Sequence, residues 1–286
     1  MLLIVVEIAG YARGSAQRWI AIGPFTMQPP EFAKLACILT GAKTLSKNEE
    51  KEKSFKDFLP VIARFALPIF FVIQNDLGTS MVLVVILLSM LFVMGMSYKL
   101  IFGFLGIGAV VAPIMWFNFL NDYQKMRILV FLNPGLDPTG DGYNVIQSVM
   151  AIGSGRLTGK SLLSGNTLGQ LNFLPEPHTD FIYSVIVEAL GFLGGITVII
   201  LYGILIVRSI QIARKAKDTF GQLIVIGVVA MQMAHIFENI GMTMGIMPIT
   251  GIPLPFLSYG GSFMWTNMIA LGLILNVGMR RQKIKF

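Results

Sequence analysis

Charged side chains are scarce in this chain. Asp, Glu, Lys and Arg make up 13% of its 286 residues, where soluble globular domains carry about a quarter. That deficit excludes an ordinary soluble fold, and hydrocarbon accounts for it, because an unpaired charge at membrane depth costs several kcal/mol. Cysteine is nearly absent: the single thiol, Cys37, excludes an internal disulfide and a cysteine-based metal site. Histidine is limited to His178 and His235. Neither has the neighbours of a zinc site, so no structural metal is expected. No phosphate loop is present, since Gly153-Ser154-Gly155 lacks both a following Lys-Ser/Thr pair and a preceding strand. There is no tandem repeat and no low-complexity segment. Residues 1–9 have neither the basic start nor the small-residue cleavage site of a signal peptide. They read as the tail of a helix whose beginning lies outside the sequence.

What the chain has in abundance is apolar length, with 55% hydrophobic residues. A membrane helix needs ~20 mostly apolar residues. Runs that qualify or nearly do are 31–45, 59–73, 79–95, 100–120, 181–207, 220–240 and 262–277. A β-barrel would show short alternating segments instead. The expected fold is therefore an all-α polytopic membrane protein. It has about seven complete transmembrane helices and an N-terminal partial helix, in one domain over 1–286. Lys and Arg collect in 43–57, at Lys99, in 208–218 and in the tail after 279. Alternating crossings put all four on one side, which makes that side cytoplasmic. The net charge of +7 thus points to a membrane surface and membrane lipids, not to nucleic acid. Segments 10–30, 74–79, 121–180 and 241–261 face the other side. The longest, 121–180, is too long for a simple connector. Its half-apolar stretches YNVIQSVMAI and LNFLP suggest re-entrant or interfacial pieces.

Ionisable groups at membrane depth are functional candidates by default. Asp180 opens the helix after LPEPHTD. It is either an N-cap, suited to the helix dipole, or a general base at the outer surface, with Thr179 capping in its place. Glu31 and Lys34 are three apart in PPEFAKLA and share a helix face. They form either a self-neutralising pair or the lining of an internal groove. Asp76 in QNDLGTS reads first as an N-cap. Glu188 lies two turns beyond Asp180 and would either lengthen a polar stripe into the bilayer or pair with another helix. The outer cations Arg13, Arg18, Lys125, Arg127, Arg156 and Lys160 suit a phosphate at the interface. Physics alone leaves two readings open, a lipid-phosphate enzyme and a transporter.

Several stretches resemble one family. RWIAIGPFTMQPPEFAKLA, QNDLGTS, NPGLDPTGDGYNVIQSVMAIGSGRLTGK, LNFLPEPHTDFIYSVIVEALGF and NIGMTMGIMPITGIPLPFLSYGGS are similar to the signature segments of the SEDS proteins (shape, elongation, division and sporulation). The wording NFLPE and MPITGIPLPF is closer to the rod-elongation, RodA-like branch than to the division branch. The sequence departs from the family pattern at Asn75 (Pro), Pro30 (Ser), Arg156 (Gly) and Ala189 (Glu).

The resemblance implies a ten-helix fold of which this chain holds the last seven and a stub of the third. It implies a peptidoglycan glycosyltransferase for cell elongation and shape. Such an enzyme polymerises lipid II into undecaprenyl-linked glycan beside a class B penicillin-binding protein, in the bacterial inner or plasma membrane, with its active face outside. It assigns Asp180 as the catalytic base and Glu31 and Lys34 to a polar groove. Beside them we place Arg18, Trp19, Asp76, His178, Lys160 and Glu188 as candidate substrate-binding residues. A leaving pyrophosphate would need neutralising by cations such as Arg18 and Lys34, by a divalent cation (Mg2+ or Mn2+), or by both. The alternatives are a flippase for lipid-linked precursors and an inactive, truncated scaffold.

Overall fold

The computed structural model describes residues 11–13, 16–22, 25–47, 55–118, 120–160 and 174–280, together with Leu3. The expected partial helix at the start and the LNFLP stretch fall largely outside the described residues. Among those described, the helices in chain order are α1 (Pro29–Ser46), α2 (Phe55–Ile73), α3 (Leu77–Val93), α4 (Tyr98–Asn118), α5 (Asp122–Leu132), α6 (Asp141–Ser154), α7 (Ile182–Arg214), α8 (Thr219–Thr243) and α9 (Gly261–Met279). Seven of them sit on the seven apolar runs, and α5 and α6 lie within the long outer segment. Four, α4, α7, α8 and α9, are long and apolar enough to cross a membrane by length and composition. The helix α3 is as apolar but shorter. The helix α2 carries Pro60 and Pro68, which membrane helices tolerate when neighbours satisfy the freed carbonyls. Along α4 the large apolar side chains Phe102, Ile107, Val110 and Phe117 are exposed. Water would penalise that surface, whereas lipid tails accept it.

The helical architecture expected from the sequence includes one element it did not foresee. Strands β1 (Tyr11–Arg13), β2 (Ala16–Ile22) and β3 (Phe25–Met27) form an antiparallel sheet in the order β1-β2-β3. Ile22 pairs with Phe25, which leaves Gly23 and Pro24 between them, the residue types that punctuate hairpins.

The chain divides into two compact units, Met1–Leu120 with Val207–Ala234 and Gly261–Phe286, and Asn121–Ile206 with His235–Gly260. In the first, α1 packs against α2, α3 and α9. Gly41 lets α1 approach closely, since a Cβ there would lie 3.0 Å from Phe65 and 3.2 Å from Met90. Ser262 ties the start of α9 to β3: its Oγ accepts from the Gln28 amide at 3.0 Å and donates to the Thr26 carbonyl at 3.3 Å.

In the second unit, Asn121 and Gln124 form a capping box at the start of α5. The Asp137 carboxylate accepts the amides of Gly140 and Asp141 at 3.0 and 2.9 Å and sets the start of α6. One face of α6 buries Val145, Ser148 and Ala151, while Ile146, Val149 and Met150 stay exposed, as an interfacial helix requires. The core gathers Val145, Leu174, Phe181, Met242 and Ile249. The helix α7 is broken at Gly191 (φ 70°, ψ −168°). The turn after α6 fills the break. The Phe192 and Leu193 amides donate to the Arg156 and Leu157 carbonyls at 2.8 and 3.2 Å, and the Lys160 amide donates to the Glu188 carbonyl at 3.0 Å. A break with no water at hand needs such partners. Arg156 sits at φ 49°, a left-handed conformation, which accounts for glycine at this place in the family pattern.

A Cβ on Gly191 would strike the backbone of Leu157 and Gly159. We predict that Gly191→Ala lowers stability by at least the ~1–3 kcal/mol of a strained left-handed residue. Gly203 in the same helix has open space, so Gly203→Ala should leave stability equal or slightly higher. Thermal unfolding in detergent checks both, and equal melting points for the two variants would contradict the packed break.

Candidate functional site

Asp180 lies in a turn that ends where α7 begins, and the turn is held through its backbone. The Tyr259 amide donates to the His178 carbonyl at 2.8 Å. Ser258 Oγ donates to the Thr179 carbonyl at 2.6 Å. Asn239 Nδ2 donates to the Asp180 carbonyl at 2.8 Å and to the Ile252 carbonyl at 2.7 Å. Ser258 also accepts the Leu254 amide at 2.7 Å, so the loop 252–259 is braced while it braces the turn. Thr179, weighed as the cap that would free Asp180, instead gives its hydroxyl to Glu176, 3.0 Å from Oε2.

The Asp180 side chain points toward Gly251 and Arg127. Gly251 adopts φ +67°, and a Cβ there would stand 3.4 Å from Asp180 Oδ2 and 3.7 Å from both Nη1 and Nη2 of Arg127. Gly251 therefore lies in ordinary contact range of both the Asp180 carboxylate and the Arg127 guanidinium. Arg127 is anchored by Nε to Asp141 Oδ2 at 3.3 Å, by Nη1 to the Thr250 carbonyl at 3.1 Å, and by its plane over the Tyr123 ring at 4.4 Å. A half-buried carboxylate at a turn fixed through its backbone has the placement a general base requires.

The other candidates fall in several places. Glu31 and Lys34 form a buried ion pair at 2.9 Å in the first unit, with Lys34 also 5.8 Å from the centre of the Phe263 ring. The intrahelical pair that the spacing allowed is formed. Glu31 keeps one buried oxygen, Oε2, without a hydrogen-bond partner among the described residues. Asp76 caps α3, accepting from the Thr79 amide at 3.0 Å and its hydroxyl at 2.9 Å. Glu188 is buried against Lys160 at 3.0 Å, so these two candidates meet each other. His178 is exposed. Trp19 lies in β2, paired with Tyr11, and the side chain of Arg18 is outside the described residues. The sequence reading singled out neither Asn239, Ser258 nor Gly251, and counted Arg127 only among outer cations. A polar Asn inside the apolar run of α8 was the one available signal. Its partners lie 13 and 59 residues away, and spacing cannot reveal that.

Comparison with known proteins places this geometry in context. The chain matches the FtsW/RodA/SpoVE family, described as cell cycle proteins, over residues 1–283. It is 38% identical over 284 residues to the peptidoglycan glycosyltransferase MrdB of Escherichia coli K12, covering 99% of this chain and 76% of that protein. It is 37% identical over 281 residues to stage V sporulation protein E of Bacillus subtilis 168, covering 97% and 75%. A solved chain from a peptidoglycan synthase complex, described for its structural coordination of polymerization and crosslinking, superposes with a TM-score of 0.81. Its identity is 31%, over 99% of this chain and 79% of its own.

Removing the Asn239 amide would strand the buried carbonyls of Asp180 and Ile252, at about 1–3 kcal/mol for an unsatisfied group. Asn239→Ala is expected to lower the unfolding free energy by that order, read by thermal or denaturant melts. A change under about 0.5 kcal/mol, the range of neutral surface substitutions, would contradict the clamp.

Proposed function

We propose that this chain, which belongs to the FtsW/RodA/SpoVE family of cell cycle proteins, is a peptidoglycan glycosyltransferase. It polymerises lipid II into glycan strands and releases undecaprenyl pyrophosphate. The observation that carries the reading is the half-buried Asp180 carboxylate, directed toward Gly251 and Arg127 by a turn whose carbonyls are clamped. The activity named for the Escherichia coli relative supports it.

The reaction is a substitution at an anomeric carbon. The acceptor hydroxyl oxygen forms the new bond to that carbon. The bond from the carbon to the pyrophosphate oxygen breaks, and its electron pair leaves with the pyrophosphate. The hydroxyl proton passes to Asp180, which releases it to water. Holding both sugars on one membrane surface supplies proximity, and a positioned base contributes about 10²–10⁴-fold. Among the described residues no three of His, Cys, Asp and Glu converge as a metal site. No step is assigned to the divalent cation expected with a pyrophosphate.

The Lys and Arg bias supports an active face on the outer side of the bacterial plasma membrane. A class B penicillin-binding protein is the proposed partner. The likeness to a synthase complex that coordinates polymerization and crosslinking supports that choice.

The test is polymerisation of lipid II by purified protein in detergent, where transport between two sides has no meaning. Wild type makes polymer, and Asp180→Asn loses about 10²–10⁴-fold while still inserting in membranes. Full-rate synthesis by Asp180→Asn would remove Asp180 as the base. Absence of polymer from wild type would remove the enzyme reading.

A further inference from the structure

Away from Asp180, the end of α7 builds a basic groove. Residues 189–207 of α7 and all of α9 carry no charge. Cations begin where the two helices leave that apolar stretch, at Arg208 and Arg280. Arg208, Gln211, Ile212 and Lys215 follow one another at i, i+3, i+4 and i+7, so they share one face. Together with Gly278 of α9 they line a groove of about 190 Å³. Gly278 brings α9 close, since a Cβ there would stand 3.5 Å from the Ile212 side chain. Arg208 Nη1 donates to Gln211 Oε1 at 3.3 Å, which holds the guanidinium beside the amide. Arg208 and Lys215 are both exposed, and among the described residues neither forms an ion pair. Asp218, the nearest acid in sequence, caps α8 through the Gly221 amide at 2.7 Å.

We propose that this groove binds the headgroup of a membrane phospholipid that carries two phosphates. The inference does not rest on the glycosyltransferase reading. Cations at the end of an apolar helix mark the interface where headgroups lie. A basic pocket between helices at that depth suits an anionic lipid. Arg208 and Lys215 stand two turns apart, about 10.5 Å along the axis, with Gln211 between them. Two phosphates joined through one glycerol bridge such a pair, whereas a single phosphate engages one cation at a time. The planar guanidinium takes two oxygens of one phosphate. The Lys215 ammonium acts as a point charge on the other. Leu201 and Ile204 continue the same face toward the membrane centre, at i−7 and i−4 from Arg208, and both are exposed. They give acyl chains an apolar track that meets the headgroup. A soluble phosphate or an acidic peptide would leave that track unused.

The probe is cardiolipin, titrated into the intact chain in detergent and read by native mass spectrometry. Phosphatidylglycerol, phosphatidylcholine and the deacylated cardiolipin headgroup are the comparisons. Wild type should bind cardiolipin at least about tenfold tighter than phosphatidylglycerol, and phosphatidylcholine least. Arg208→Gln and Lys215→Gln should each weaken cardiolipin binding by about tenfold, the loss of one charge-assisted hydrogen bond. Lys99→Gln removes a cation of the same membrane side outside the groove and should change nothing. The deacylated headgroup, with both phosphates and no chains, should bind far more weakly than the lipid. Equal cardiolipin affinity in wild type and the double variant Arg208→Gln/Lys215→Gln overturns the proposal. So does an equal loss in Lys99→Gln, which would mean a diffuse basic surface. Phosphatidylglycerol binding as tightly as cardiolipin removes the two-phosphate ligand, and the bare headgroup binding as tightly as the lipid removes the lipid. Photoreactive cardiolipin on unmodified protein decides the matter even if a variant fails to fold. Labelling of Leu201–Lys215 or Leu275–Met279 supports the groove, and labelling confined to other segments overturns it.

Discussion

The carbonyl oxygens of His178, Thr179 and Asp180 are each taken by a donor from Tyr259, Ser258 or Asn239. Each bond contributes only about 1 kcal/mol net, but a stranded buried partner would cost about 1–3 kcal/mol. The asymmetry fixes the turn. The donors are bound in their turn, Asn239 to the Ile252 carbonyl and Ser258 to the Leu254 amide. Asp180 therefore owes its place to backbone bonding from sequence-distant residues, and its carboxylate projects toward Gly251.

Within each unit, charge is managed by pairing. Glu31 meets Lys34 at 2.9 Å, and Glu188 meets Lys160 at 3.0 Å. Asp76 answers the amide and hydroxyl of Thr79. A single charge left alone at these depths would cost several kcal/mol, and removing one partner of a buried pair leaves such a charge. The Glu188 pair also belongs to the packed break at Gly191, where the turn carrying Lys160 satisfies amides that an interrupted helix exposes. Arg127 is paired as well, with Asp141 at 3.3 Å, and both its terminal nitrogens stand near Gly251.

The helices were legible because apolar length is a local property, and all seven apolar runs became helices. Asp76 was legible as a cap because a cap and its amide partner are three residues apart. The Glu31–Lys34 pair was legible for the same reason, one turn of helix. The break in α7 was not, since Gly191 reads like any glycine in a membrane span until Gly159 is seen against it. The sheet at 11–27 was hidden by short strands with little alternation. The clamp on Asp180 was hidden because its donors lie far off in sequence, Ser258 79 residues from the Thr179 it bonds. Asp180 itself came from the resemblance of HTDF to a family motif, and spacing left it balanced between cap and base.

The most direct measurement of the central claim is the polymerisation rate of Ser258→Ala at saturating lipid II, below its unfolding temperature. If the clamp positions the base, turnover falls by roughly 10- to 100-fold, the scale of a small misplacement of a reacting group, while lipid II affinity is retained. Turnover equal to wild type in folded Ser258→Ala would contradict the account.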